Sequence, residues 1–179
     1  MVFIKKIKML KFKLPKNIQL NWGVDFIKVE GPLGVIIKRK DDFSLAIMED
    51  SLYLWSLTNT EKENMYMSFV RNLILGVSKG FCYRLKLVGV GFRAAIKDNK
   101  VFLKLGFSHE IIYNIPNDVQ ISCSKAKGIF LLIKGKENVR VAQTAREIKN
   151  LRIPDSYKGK GIHYNKEVLK LKKGKREGK

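Results

Sequence analysis

The sequence predicts an α+β protein of two duplicated small domains, each a largely antiparallel sheet with one packed helix. Short runs with apolar residues at every second position are followed by one segment of helical periodicity, and this order occurs twice in 179 residues. Gly31 and Gly106 lie 75 positions apart, and Leu54 and Leu131 lie 77 apart, which indicates an internal duplication. Hydrophobic residues make up 45% of the chain, enough to build a core.

In the first half, four strands are predicted before one helix. They are residues 26–30, 35–39, 45–48 and 52–56. The first two flank Gly31-Pro32-Leu33-Gly34, because Gly and Pro supply turn dihedral angles that strand-forming residues resist. Thr60 and Glu63 form a capping box, which predicts a helix of about four turns that ends by Gly80.

The second half repeats this order with more strands. They are residues 81–88, 92–97, 101–105, 111–115, 119–122 and 129–134. Gly89 and Gly91 separate the first two and indicate a bulge or a close approach of the backbone. A helix is predicted from a cap at Asn138 to Leu151, since the residue before Pro154 disfavours helix.

The positive charge is unevenly distributed along the chain. Lys and Arg number 36 against 16 Asp and Glu, which gives a formal charge of +20. Residues 1–16 carry +6, residues 17–80 carry −1, residues 81–153 carry +9 and residues 154–179 carry +6. We therefore predict a basic N-terminal arm (1–16), an N-terminal α+β domain (17–80), a C-terminal binding domain (81–155) and a basic tail (156–179).

This charge favours a polyanionic partner, either nucleic acid or a membrane surface, over a metabolic enzyme. The longest apolar runs are far shorter than the ~20 residues that a membrane-spanning helix needs. Cys82, Cys123 and two histidines supply neither a disulfide framework nor a four-ligand zinc site. We predict no metal, no cofactor and a reducing compartment.

Two patterns leave other function classes open. Residues 89–94 fit the dinucleotide-binding pattern GxGxxA. In such a site a helix begins at the glycines and its N-terminus receives the pyrophosphate, but here a strand is predicted instead of a helix. Lysine alternates with apolar residues in residues 1–14, which would suit a membrane surface. Neither His109 nor His163 has a partner at catalytic spacing, so no catalytic residue is predicted.

The most distinctive segment is Pro154-Asp-Ser-Tyr-Lys-Gly-Lys-Gly-Ile162. Its tyrosine offers a ring for stacking, its lysines offer cations for phosphates, and its glycines allow the backbone to approach a partner closely. The alternative interpretation is a flexible basic linker.

Two further segments are distinctive beside the one from Pro154 to Ile162. They are Leu87-Val-Gly-Val-Gly-Phe-Arg-Ala94 and Leu103-Lys-Leu-Gly-Phe-Ser-His109. The three segments together resemble the L6 family of bacterial and organellar large-subunit ribosomal proteins. Weaker matches at residues 29–34 and 75–81 extend the resemblance over nearly the whole chain, while residues 1–16 and 41–59 match only loosely.

The resemblance implies a structural constituent of the large ribosomal subunit, not an enzyme, that supports translation. It implies rRNA binding mainly through the second domain and tail, near the sarcin-ricin loop and the stalk base. The implied partners are large-subunit rRNA and neighbouring large-subunit proteins, with translation factors nearby. The resemblance implies no association with a membrane and no homo-oligomer. The alternatives are another basic RNA-binding protein or a nucleotide-binding enzyme. The candidate rRNA contacts are Arg93, Ser108, His109, Arg152, Tyr157, Lys158, Gly159, Lys160 and Tyr164.

Amino-acid usage bears on the compartment. The chain has 28 lysines against 8 arginines and 18 isoleucines against 6 alanines, a bias expected of A- and T-rich coding sequence. We therefore expect a mitochondrial ribosome, with the bacterial cytoplasm or a plastid as alternatives. Residues 1–16 do not resemble a transit peptide, which fits either origin.

Overall fold

The computed structural model describes residues 10–41, 43–48, 51–55, 62–124 and 129–172. Within these ranges the chain forms thirteen strands and two helices, and it divides into two compact units, Met1–Gly80 and Phe81–Lys179. Each unit combines small antiparallel sheets with one helix. The predicted α+β class with duplicated units is confirmed.

The first unit contains two three-stranded sheets and one helix. Its elements are β1 (Leu10–Lys13), β2 (Gln19–Trp22), β3 (Phe26–Gly31), β4 (Gly34–Arg39), β5 (Ser44–Met48), β6 (Ser51–Trp55) and α1 (Glu63–Ser78). The sheet orders are β1-β6-β5 and β2-β3-β4. Helix α1 has Val70, Ile74 and Val77 fully buried in the core of this unit, because these positions recur at helical spacing on one face.

The start of this unit differs from the expectation of a basic arm. Leu10–Lys13 pair with β6 as an antiparallel strand, and Phe12 and Leu14 pack against the core. In residues 10–14, lysine therefore alternates with apolar residues because one face of a strand is covered by the core and the other is exposed. The predicted cap Thr60 lies outside the described residues, and α1 begins at Glu63.

The second unit contains a four-stranded sheet, a three-stranded sheet and one helix. Its elements are β7 (Phe81–Val88), β8 (Arg93–Lys97), β9 (Lys100–Lys104), β10 (Ile111–Asn114), β11 (Val119–Ser124), β12 (Ile129–Gly135), α2 (Asn138–Asn150) and β13 (Gly161–Tyr164). The sheet orders are β11-β12-β7-β13 and β10-β9-β8. Val141, Ala145 and Ile148 of α2 are fully buried in the core of this unit.

Strand β13 lies inside the segment predicted as a tail. It pairs antiparallel with β7, from Gly161 opposite Val88 to Tyr164 opposite Leu85, and Ile162 is fully buried. The basic tail predicted at residues 156–179 is therefore partly a strand of the sheet. The four residues of β13 follow a segment rich in lysine and glycine, and they are too few to show the alternation of apolar and polar residues that predicts a strand.

The turn that follows β13 is fastened to α2. Lys149 Nζ donates to Glu167 Oε1 at 2.6 Å, and the backbone N–H of Tyr164 donates to Glu167 Oε2 at 3.0 Å. The hydrogen bond from Lys149 is the main reason that the pKa of the Glu167 carboxyl lies below its ordinary value of 4.5. These bonds hold β13 and α2 in a fixed relation.

We predict that Glu167→Gln lowers the free energy of unfolding by about 1–2 kcal/mol at pH 7, because a half-buried, charged acceptor is lost. Urea denaturation measures the change. Glu30→Gln is the matched control, since Glu30 pairs with Lys28 at a more exposed position of the first unit. It should cost less than about 1 kcal/mol. An equal cost for the two variants would contradict the prediction.

The same carboxylate predicts a pH dependence. A pKa lowered in the folded state stabilises the protein above the unfolded value, and this contribution is lost as the pH falls through the folded pKa. Below the ordinary value of 4.5, wild-type stability should therefore fall more steeply than that of Glu167→Gln. Parallel stability curves from pH 6 downward, measured by thermal unfolding, would contradict this.

Candidate nucleic-acid interface

Three segments of the second unit meet at one end of its two sheets. Strand β7 ends at Val88, which pairs with Gly161, and β8 begins at Arg93, which pairs with Lys104 at the end of β9. The loop 105–110 follows Lys104, and the segment 151–160 leads from α2 into Gly161. This end of the unit therefore collects the residues 89–93, 104–110 and 151–161, which we call the charged end.

The turn at residues 89–92 contains no helix. The Phe92 N–H donates to the Gly89 carbonyl at 3.3 Å, Gly91 has a φ of +76°, and β8 begins at the next residue. The expectation that a strand, not a helix, follows the GxGxxA pattern is confirmed. The Phe92 ring also lies 3.5 Å from where a Cβ on Gly106 would stand, which brings this turn next to the loop 105–110.

The loop 105–110 carries a stack of flat side chains. The guanidinium carbon of Arg152 lies 4.8 Å from the centroid of the Phe107 ring. The His109 ring lies 6.5 Å from the same centroid, with 26° between the ring planes. Ser108 Oγ lies 3.5 Å from His109 Nδ1. Three predicted residues are thus brought together, and Phe107, which sequence reasoning missed, joins them.

A hydrogen bond between α2 and β10 supports this arrangement. Tyr113 Oη donates to Glu147 Oε2 at 2.6 Å, which ties the β9–β10 hairpin to the helix that ends just before Arg152. Burial and this carboxylate raise the pKa of Tyr113 to about 12, so the phenol keeps its proton at neutral pH. The hairpin loop and Arg152 are therefore held at a fixed separation.

The segment 153–160 is an ordered loop closed by Asp155. Its carboxylate accepts the N–H of Lys158 at 3.0 Å, its own N–H donates to the Lys160 carbonyl at 2.9 Å, and its carbonyl accepts from Gly159 at 2.9 Å. The hydrogen bond from the Lys158 N–H is the main reason that the pKa of the Asp155 carboxyl lies below its ordinary value. The interpretation of this segment as a flexible linker does not fit these hydrogen bonds. Three residues of the loop are exposed, namely Tyr157, Lys158 and Lys160.

The glycines of this loop serve the chain's own packing. A Cβ on Gly161, whose φ is +149°, would stand 2.6 Å from the Cα of Pro154. Gly159 is buried with a φ of +63° and lies against Leu169 and Leu171. The close approach expected for these glycines is therefore intramolecular, and Gly159 shapes the loop.

Tyr164 lies apart from the other predicted contacts. It is half-buried on β13, with Lys149 Nζ 4.9 Å from its ring centroid and the Tyr83 ring centroid 6.1 Å away. Its ring packs against α2 and β7, which gives it a structural role in this unit.

The charged end is strongly positive. Five exposed cations stand against the two exposed carboxylates of Glu110 and Asp155. Because clustered cations on one face attract phosphates, this arrangement suits a polyanion. The cations are Arg93, Lys104, Arg152, Lys158 and Lys160.

Other kinds of site find little support in the described part of the chain. Among the residues that the structure describes, no group of three or more His, Cys, Asp and Glu side chains could hold a metal ion. No helix in the described ranges has the length and apolar character to cross a membrane. A groove of about 510 Å³ beside β8 and β11 has four aliphatic and four polar lining residues, and Lys134 is the one titratable side chain among these eight, so the lining offers no pair of groups for acid–base chemistry. It is lined by Ile96, Asn99, Ile115, Val119, Gln120, Ile121, Ser122 and Lys134.

Comparison with known proteins agrees with this geometry. A family model described as Ribosomal protein L6 matches residues 88–165, which include the whole charged end. The chain is 36% identical to the large ribosomal subunit protein uL6m of Reclinomonas americana, over 93% of this chain and 96% of that protein. It is 35% identical to the protein uL6 of Bordetella pertussis, over 97% of this chain and all of that protein. It is also 35% identical to uL6 of Fervidobacterium nodosum, over 91% and 94% of the two chains. The chain therefore belongs to the ribosomal protein L6 family.

Proposed function

We propose that this protein binds large-subunit rRNA through the charged end of its second unit, near the sarcin-ricin loop and the stalk base. Family membership makes it a structural protein of the large ribosomal subunit that serves translation, not an enzyme. The observation that carries the proposal is the convergence of five cations from separate segments at one end of the unit.

The proposed mode of binding is recognition of backbone and shape. The deep, narrow major groove of A-form RNA excludes side chains, so lysine and arginine read phosphates and 2′-hydroxyls instead. Arg93 stands on a strand, Lys158 and Lys160 stand on a loop closed by hydrogen bonds, and Arg152 follows a helix. Cations held at fixed positions favour one arrangement of phosphates over others.

The location within the ribosome and the compartment are further parts of the proposal. The position near the sarcin-ricin loop and stalk base, with neighbouring ribosomal proteins and translation factors close by, rests on the resemblance of residues 154–162. A mitochondrial ribosome is supported by the lysine and isoleucine bias and by the similarity to a mitochondrial relative. Bacterial relatives are nearly as similar, so cell fractionation decides the compartment.

We predict salt-dependent binding to large-subunit rRNA, with a log–log slope of about −3 or steeper, because each of the five cations can neutralise one phosphate. Filter binding between 50 and 300 mM KCl measures the slope, and sucrose-gradient sedimentation should place the protein with large ribosomal subunits. Binding that does not change with salt, or a protein found only outside ribosomal particles, would contradict the proposed function.

Charge reversal at the charged end should weaken binding more than the same reversal elsewhere. The double variant Lys158→Glu, Lys160→Glu should lose rRNA affinity, and its salt slope should become shallower by about 2, one for each lost phosphate contact. The control is Lys62→Glu, Lys79→Glu, since these exposed lysines flank α1 in the first unit. Equal losses for the two double variants would show that net charge alone matters.

Asp155 offers a test that separates loop shape from charge. Asp155→Ala removes a negative charge, which by charge alone would strengthen rRNA binding, but it also removes the acceptor for the Lys158 N–H. We expect affinity to fall several-fold in filter binding, because the loop loses its closed shape. Asp155→Asn keeps an acceptor oxygen and should retain affinity.

Glu110→Ala is the matched control for Asp155→Ala, since it removes an exposed carboxylate from the same end of the unit. It should leave affinity unchanged or slightly raised. Stronger binding by Asp155→Ala, at the level of Glu110→Ala, would show that the shape of the loop does not matter.

A further inference from the structure

We propose that Phe107, together with Arg152 and His109, forms a stacking site for an unpaired nucleobase of the rRNA. This inference rests on the proposed function and adds a second kind of contact to it, since a base face is recognised instead of a phosphate. The three side chains are called the stacking cluster.

The geometry of the stacking cluster brings three flat groups to the surface. Arg152 lies over the Phe107 ring at 4.8 Å, and the planes of the Phe107 and His109 rings differ by only 26° at a centroid separation of 6.5 Å. Phe107 is 37% exposed, although a large apolar side chain gains free energy by burial. Arg152 and His109 are exposed as well, so part of each of the three flat groups faces solvent.

The cluster is held in place from both sides. Leu105, immediately before the turn at Gly106, is fully buried, and Ile111 after the loop is paired with Leu103. On the other side, the Arg152 carbonyl accepts the N–H of the buried Ile162 at 2.9 Å. A partner that stacks here meets groups that are already ordered, which lowers the entropic cost of binding.

The chemistry of the surroundings points to a single-stranded nucleotide. Proteins that bind single-stranded RNA combine cations that follow the backbone with flat side chains on which bases stack. The stacking cluster lies at the same end of the unit as Arg93, Lys158 and Lys160, which can take the flanking phosphates. A base within a duplex has no free face, so the partner is a nucleotide in a loop, bulge or junction.

The test compares Phe107→Leu with wild type in binding to large-subunit rRNA transcribed from the source gene. Leucine keeps an apolar side chain but has no π face. We expect about fivefold weaker binding at constant salt, because stacking contributes to each base that is bound. The salt slope should stay at the wild-type value, since no phosphate contact is lost. Phe26→Leu, at an exposed phenylalanine of the first unit, should leave affinity unchanged.

A second readout identifies the base contact directly. Irradiation of the wild-type complex at 254 nm, followed by digestion and mass spectrometry, should give a nucleotide adduct on the peptide that contains Phe107. Phe107→Leu should lose that adduct while adducts at other peptides persist. An absent adduct in the wild type would overturn the proposal.

Thermal unfolding of each free variant identifies a loss of folding. If Phe107→Leu is destabilised, Arg152→Lys takes its place, since it keeps the charge and removes the planar guanidinium. It should bind more weakly with an unchanged slope.

Wild-type affinity in both variants, or a slope that becomes shallower as in the double lysine variant, would overturn the stacking site and leave rRNA binding intact. Wild-type protein without salt-dependent rRNA binding would instead overturn the proposed function, and the stacking site with it.

Discussion

The pairing of β13 with β7 is the interaction on which the charged end depends. It sets Gly161 opposite Val88 and places the fully buried Ile162 in the core of the second unit. The loop 153–160 is anchored at Arg152 on one side and at Gly161 on the other, and Gly161 is paired with Val88, the residue that precedes the turn at residues 89–92. The pairing therefore brings the end of this loop to that turn. Without it, the same lysines would belong to a free tail and would have no fixed arrangement.

Elements with strong local patterns could be predicted from the sequence, whereas elements defined by distant partners could not. The long strands β7 and β12 alternate over many residues, and both helices show helical spacing. Strands β1 and β13 have four residues each, and only their partners make them strands. At the charged end, four of the five cations could be named from charge and resemblance, whereas Lys104 was not among the predicted contacts. Phe107 was missed because its contact with Arg152 joins residues that are 45 positions apart.

The two units share an architecture but differ in surface charge. The formal charge of −1 over residues 17–80 contrasts with +9 over residues 81–153, although both stretches contain small antiparallel sheets and one helix. The buried apolar positions that define the fold leave the exposed positions free to differ. A duplicated fold can therefore carry a cluster of exposed cations on one copy, because these residues lie on turns and strand ends outside the core.

The register of β13 on β7 also sets an order of assembly during synthesis. Val88 and Gly161 are paired although 73 positions separate them, and the chain emerges from its N-terminus. Strand β7 is therefore synthesised long before its edge partner β13, and this edge of β7 stays unpaired until residues 161–164 leave the ribosome. The first unit, with its own core, can fold before that moment. The lysines of the loop 153–160 consequently reach their fixed positions only after residues 161–164 have been synthesised and have paired with β7.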